Sequence, residues 1–257
     1  MLRTLIQRVG LFTFAGFSLI CTPGLLRGSV LLNEPFNYAN GRLDVVGSAV
    51  WTRSGGTSDD LLVSNNKLLI SDTSNDDATA LLSSSVSSGK VFASFTLLGD
   101  SSDVSTSTTG SDYFASFGSG NALYSRIFPG HPGTADGTYR LGITNAAGTA
   151  GGVFLPASFS ATTAYQVVIR FDYSTSQTTL WVNPTSEADP NFINANDAIT
   201  PGAINKFGFR QPGGTAMGDY SIDNLLVGTT FAEVVPEPGT IGILLVAGSM
   251  LLARRRA

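Results

Sequence analysis

Strict alternation of apolar and polar positions is clearest from Tyr165 to Tyr173. Tyr165, Val167, Ile169, Phe171 and Tyr173 share one face of an extended strand, and Gln166, Val168, Arg170 and Asp172 share the other. Ser174–Gln177 turns the chain into Thr178–Asn183, which predicts a hairpin, and Pro184 ends it because proline cannot donate to a central ladder. Val91, Ala93, Phe95 and Leu97 form a second alternating set; Tyr113, Ala115 and Phe117 form a third, and Tyr139, Leu141 and Ile143 a fourth. Shorter candidate strands lie at Leu61–Ser64, Lys67–Ser71, Leu123–Phe128, Lys206–Arg210 and Tyr220–Val227. No amphipathic helix is predicted between residues 30 and 232. Strands at this spacing, parted by Gly- and Ser-rich turns, predict an all-β fold, an antiparallel two-sheet sandwich. The polar run Asp100–Ser111 and the Gly/Ala/Thr run Asn145–Gly152 predict loops without regular structure.

Both ends break this pattern. Arg3 and Arg8 precede a 12-residue apolar stretch, Val9–Ile20, which is short for a membrane span and predicts a signal helix within residues 1–29. Its cut is expected between Cys21 and Ser29, and the bulky Ile20 argues against lipidation of Cys21. At the other end, Pro236-Glu237-Pro238 breaks the chain sharply before a 15-residue uncharged run, Gly239–Ala253, and then Arg254, Arg255 and Arg256. As a helix that run spans about 22 Å, short of the roughly 30 Å of a bilayer core, although arginines can snorkel to the headgroups. Cations at both ends are retained on the cytoplasmic side, so the reading is of an exported middle.

Charge and cysteine count narrow the middle further. Residues 30–232 hold 17 acids (15 Asp, with Glu34 and Glu187) against 9 bases, a net charge of −8. That balance excludes a nucleic-acid partner, which requires a basic footprint. Cys21 is the one cysteine of the chain, so the exported body has neither disulfides nor thiolate chemistry and depends on burial and sheet hydrogen bonds.

The tail Val235–Ala257, with its Pro-Glu-Pro, short apolar helix and terminal arginine cluster, resembles the PEP-CTERM sorting signal. The resemblance implies a Gram-negative, exopolysaccharide-producing source and an exosortase-type processing enzyme as partner. It also implies a membrane contact through a short transmembrane helix before processing. Glu34-Pro35-Phe36-Asn37-Tyr38, Leu180-Trp181-Val182-Asn183 and Tyr220-Ser221-Ile222-Asp223-Asn224-Leu225 are similar to concanavalin-like and laminin-G-like jelly rolls. That second resemblance implies a jelly-roll sandwich for residues 30–232, between a signal peptide at 1–29 and a sorting signal at 233–257.

Chemistry is sparse. His131, the one histidine, lies in the turn-like Phe128-Pro129-Gly130-His131-Pro132-Gly133, and no nucleophile elbow accompanies it. Glu187-Ala188-Asp189-Pro190-Asn191-Phe192 is the nearest stretch to a glycosidase strand, yet it lacks a second glutamate and contains a proline. The expectation is therefore no enzyme. Trp51 and Trp181, with Tyr124 and Tyr139, are the candidate sugar-stacking rings, although Leu180 and Val182 beside Trp181 equally suit a packed strand. Asp59-Asp60, Asp76-Asp77 and Asp219 with Asp223 are the oxygen sources for a structural Ca²⁺; Asp pairs in turns also cap local backbone. No other cofactor is expected. The reading is an exported cell-surface or exopolysaccharide-associated structural or interaction protein; a lectin-like carbohydrate-binding module and a glycan-cleaving enzyme are the alternatives.

Overall fold

The computed structural model describes residues 28–56, 61–108, 112–131, 136–146, 152–213 and 216–235. The expected signal helix and the tail with Pro236, Glu237, Pro238, Arg254, Arg255 and Arg256 lie outside them.

The chain begins with β1 (Val30–Glu34), β2 (Gly41–Arg42), α1 (Leu43–Val46), β3 (Trp51–Gly56), β4 (Leu62–Ser64) and β5 (Lys67–Ile70). Two long strands follow, β6 (Asn75–Val86) and β7 (Lys90–Val104), then β8 (Ala115–Ser119), β9 (Ala122–Gly130) and β10 (Thr138–Thr144). Next come β11 (Val153–Phe154), β12 (Phe159–Ser160), β13 (Tyr165–Asp172), β14 (Gln177–Val182) and β15 (Phe192–Asn194). The chain closes with β16 (Ile204–Pro212), β17 (Gly218–Gly228) and α2 (Phe231–Val234). All described pairings are antiparallel and form two packed sheets. One has nine strands in the order β15-β14-β13-β7-β17-β5-β4-β2, with β1 also on β17. The other has eight, in the order β11-β10-β9-β8-β16-β6-β3, with β12 also on β10. The result is an antiparallel jelly-roll sandwich.

The alternation places the core as the pattern predicts: Val167, Ile169 and Phe171 point inward, as do Val91, Ala93, Phe95 and Leu97. Between the sheets a continuous chain of rings runs Phe36–Trp51–Phe209–Phe95–Phe114–Tyr220–Tyr139–Phe159–Tyr165, with successive centroids 5.1 to 6.1 Å apart. Edge-on and stacked ring pairs add to the burial itself, which stands in here for the missing disulfides.

Three departures from the sequence pattern have physical causes. β6 is unpredicted because Asn, Asp and Ser fill it, yet Ala78, Ala80 and Leu82 point inward and Arg53 pairs with the buried Asp76 at 2.6 Å. The expected loop at Asp100 is instead the end of β7 as far as Val104, because Gly218 at the start of β17 pairs with it. Gly218 has φ +83°, and a Cβ there would lie 2.6 Å from Ser105 N and 2.7 Å from Asp103 O. The third is a pair of one-turn helices, α1 and α2, which packing rather than propensity sustains.

One fastener crosses between the sheets at Glu34, which is 1% exposed. Its Oε1 accepts from Phe36 N at 2.6 Å, and its Oε2 accepts from Tyr38 OH at 2.5 Å and Trp51 Nε1 at 2.8 Å. Burial first, then the hydrogen bond and charge of Glu34, push the Tyr38 hydroxyl well above its ordinary range. β1 belongs to the nine-stranded sheet and β3 to the eight-stranded one, so this carboxylate ties the two together.

A second fastener lies on the outer face. Glu187 Oε1 meets Lys90 Nζ at 2.5 Å and Arg170 Nη1 at 2.8 Å. Burial would raise the Glu187 carboxyl, but the hydrogen bonds and charges of Lys90 and Arg170 outweigh it and hold the group below its ordinary 4.5.

Glu34→Ala leaves two buried donors, Phe36 N–H and Trp51 Nε1–H, and the half-buried Tyr38 hydroxyl without this acceptor and is expected to cost about 3 kcal/mol, lowering Tm by roughly 6–12 °C. A calorimetric shift within about 1 °C would remove the fastener role. For Glu187 a depressed folded value means stability gained above the unfolded value and lost as pH falls through the folded one. The Tm difference between wild type and Glu187→Gln is therefore expected to be full near neutrality and to shrink as pH drops below 4.5. A difference constant with pH contradicts the ion-pair account.

Candidate functional site

The outer face of the nine-stranded sheet carries an open groove of about 630 Å³. Its floor follows from strand register. Leu62 lies opposite Leu69, Leu69 opposite Ser221, and Ser221 opposite Leu98, giving one row across β4, β5, β17 and β7. Their neighbours Val63, Leu68, Ile70, Tyr220, Ile222 and Leu97 fill the core, so period-two alternation turns the row outward. Leu62 is 45% exposed and Leu69 36%, an apolar strip that nothing among the described residues covers. The walls are polar: Ser71 and Ser74 from the turn after β5, Asp100 and Ser101 from β7, and Thr162 ahead of β13. Gln211 enters from the other sheet. It is buried, gives its Nε2 to Leu69 O at 3.2 Å, and leaves its Oε1 without a partner.

Asp219, on the groove lining, belongs to a carboxylate cluster with Asp72 and Asp103. Their ligand oxygens all lie within 4.8 Å of one another. The backbone holds two of them: Asp72 N donates to Asp219 Oδ1 and Gly218 N to Asp72 Oδ2, both at 3.1 Å. Burial first, then the negative charges of Asp72, Asp219 and Asp100, raise the Asp103 carboxyl above its ordinary value. Three like charges this close favour either a shared proton or a hard cation with oxygen ligands. Among the described residues this is the one such cluster of three His, Cys, Asp or Glu side chains.

The sequence candidates fare unevenly. Asp219 lies in the cluster, whereas Asp223 lies at the break in register within β17 and accepts from Asn224 N at 2.7 Å. Asp76 is paired with Arg53, Asp77 faces Arg210 at 3.6 Å, and Asp59-Asp60 lie outside the described residues. Trp51, 1% exposed, is a core ring, stacked on Phe36 and donating to Glu34, so it presents no face to a sugar. Trp181, 2% exposed, is enclosed by Phe192, Phe231 and the Arg170 guanidinium and gives Nε1–H to Asp189 O at 3.3 Å. Both expected stacking platforms are thus packed away. The apolar neighbours of Trp181 already fitted that outcome, and the partner of Trp51 was hidden 17 residues upstream. Tyr124 and Tyr139 are buried too; the Tyr124 hydroxyl accepts from Gly202 N, and burial pushes the Tyr139 hydroxyl up. His131 donates its backbone N–H to Ser107 O. Glu187 is bound by two cations, and Asp189 Oδ1 accepts from Asn191 N at 2.9 Å, so neither stands beside a partner carboxylate in the described contacts.

Asp72 and Asp103 escaped notice in the sequence because their neighbours are ordinary turn residues. Only the pairing of Gly218 with Val104, and of β17 with β5, brings three separate segments together.

No family model and no curated protein matches the chain. Solved structures do resemble it. A sialidase aligns at 14% identity and TM-score 0.47 over 79% of this chain, which spans only 19% of the sialidase. The CBM2 module of the evolved Dit of Lactobacillus casei BL23 phage J-1 aligns at 8% identity and TM-score 0.48, covering 78% of this chain and 95% of the module. Basic winged bean lectin with Tn-antigen aligns at 11% identity and TM-score 0.46, covering 79% of this chain and 98% of the lectin. No activity transfers across likenesses so distant, and the fold rests on the strand order and registers above.

Proposed function

We propose that this chain is an exported cell-envelope or extracellular-matrix protein of a Gram-negative bacterium that acts by binding polysaccharide rather than by cleaving it. The observation that carries the reading is the groove: an exposed leucine strip with hydroxyl, amide and carboxylate groups along its walls. A sugar ring offers the complementary pair, apolar C–H faces and a rim of hydroxyls. Because Trp51 and Trp181 are packed inside, affinity for one ring is weak, with a dissociation constant of about a millimolar, and rises with the number of rings engaged. Asp72, Asp103 and Asp219 are the residues we assign to a structural Ca²⁺ beside the groove, in a binding role that needs no proton transfer. The tail Val235–Ala257 serves as the sorting signal, with the membrane and an exosortase-type enzyme as its partners.

A glycan array followed by calorimetry is expected to show binding to oligosaccharides that Leu69→Asp abolishes; no binding at millimolar sugar removes the lectin reading. Millimolar Ca²⁺ is expected to raise Tm in wild type and not in Asp103→Asn, which spares the two backbone-capping carboxylates. An equal rise in both, or none, rejects the cation site. Replacing Arg254, Arg255 and Arg256 by Gln is expected to change envelope fractionation, and an unchanged distribution rejects the sorting role.

A further inference from the structure

Gly28 and Ser29 meet the segment Thr229–Glu233 at one place. Ser29 N donates to Thr229 Oγ1 at 3.0 Å, and Thr229 N donates back to Ser29 O at 3.2 Å. Glu233 Oε2 accepts from Thr229 N at 2.9 Å and Thr230 N at 3.1 Å, which folds the chain after β17 back into α2. Gly28 is packed beneath this turn so tightly that a Cβ would collide with the Glu233 carboxylate and the Thr230 hydroxyl. Beyond it, Phe231 sets its ring edge-on against Phe92 at 6.2 Å and Trp181 at 6.4 Å. Val234 is fully buried with Phe92, Val168 and Trp181 in a second apolar cluster, separate from the core between the sheets. Its carbonyl accepts from Ser94 Oγ at 2.6 Å and Gln166 Nε2 at 3.5 Å.

A four-residue helix has no stability of its own, so α2 holds only while this contact set is complete. Removing either end undoes the other: without Gly28–Ser29, Thr229 loses a donor and an acceptor, and without Phe231–Val234 the outer faces of Phe92, Val168 and Trp181 meet water. We infer that Gly28–Ser29 and Thr229–Val235 form a two-ended latch retained in the mature protein, and that its borders set where trimming of both terminal extensions stops. The inference builds on the export reading, and it narrows the N-terminal cut to a bond preceding Gly28. Each trimming step is a peptide-bond hydrolysis, with water supplying the hydroxyl of the new carboxyl end and a proton of the new amino end. A backbone clasped in hydrogen bonds cannot adopt the extended form a peptidase requires unless it first opens.

Full-length protein treated with a broad-specificity serine protease, its terminal peptides read by mass spectrometry, tests the latch apart from export. Wild type is expected to be trimmed to an amino end no later than Gly28 and a carboxyl end no earlier than Val235. Phe231→Ala is expected to be cut within 229–235 at least tenfold faster, and Ser94→Ala provides the same readout should Phe231→Ala fail to fold. Wild-type ends inside 30–228, or unchanged rates in the variant that folds, overturn the inference. In cells the mature chain is expected to start between Thr22 and Gly28. An unprocessed chain in cells with these same borders in the test tube would reject the export reading and leave the latch standing. A mature amino end beyond Ser29 rejects the latch.

Discussion

The pairing of β17 is the constraint on which the rest depends. It lies between β7 on one side and β5 and β1 on the other, so the last strand of the body is central to the larger sheet. Tyr220, Ile222, Leu225 and Val227 point from it into the core, and Ser221 and Asp219 lie on the groove side. Its first residue, Gly218, permits the close approach that brings Asp72, Asp103 and Asp219 together, and its last leads directly into the latch. Core, groove, carboxylate cluster and latch therefore form only when residues near 220 have been placed. Such long-range pairing is slow to find.

What was legible in the sequence was whatever period two reveals without help. Tyr165–Asp172 and Gln177–Val182 form the hairpin the alternation predicts, and Val167, Ile169 and Phe171 are buried as their face requires. Val168 shows the limit of that reading. It lies on the opposite face and is buried just as fully, because α2 covers that part of the sheet. A residue's burial depends on what lands on it, and alternation carries no information about a cover arriving from 60 residues away. β6 and the end of β7 were illegible for a related reason. Their Ser and Asp content disfavours strand in isolation, and they are strands because β16 and β17 pair with them across a break in register, β16 at Leu81 and Val86 of β6 and β17 at Gly99 and Val104 of β7.

The candidate site divides along the same line. Asp219 was visible, because aspartates near the start of a predicted strand are natural oxygen donors. Asp72 and Asp103 were not, since nothing local distinguishes a turn aspartate that caps a backbone from one that faces two others. The tryptophans were visible for the wrong role. Large rings are as valuable to the core of a cysteine-free body as to a sugar site, and here the core holds Trp51 while the latch covers Trp181. The ring that would have made the surface adhesive is the same ring that makes the latch close.

That exchange explains the character of the groove. With both indoles committed to packing, the exposed apolar strip of the groove, Leu62 and Leu69, is aliphatic, and leucine offers no quadrupole to bind the C–H face of a sugar. On the binding reading proposed above, a single contact is weak and tolerant of ring identity, and strength comes from a polymer engaging several copies at once. A polysaccharide of the kind proposed would supply many repeats for many copies of the chain. Weak, repeated binding also lets chains release and rejoin under load, whereas a deep aromatic site would fix them. The same sequence economy that hides the tryptophans thus suits the proposed partner, a large and repetitive polymer.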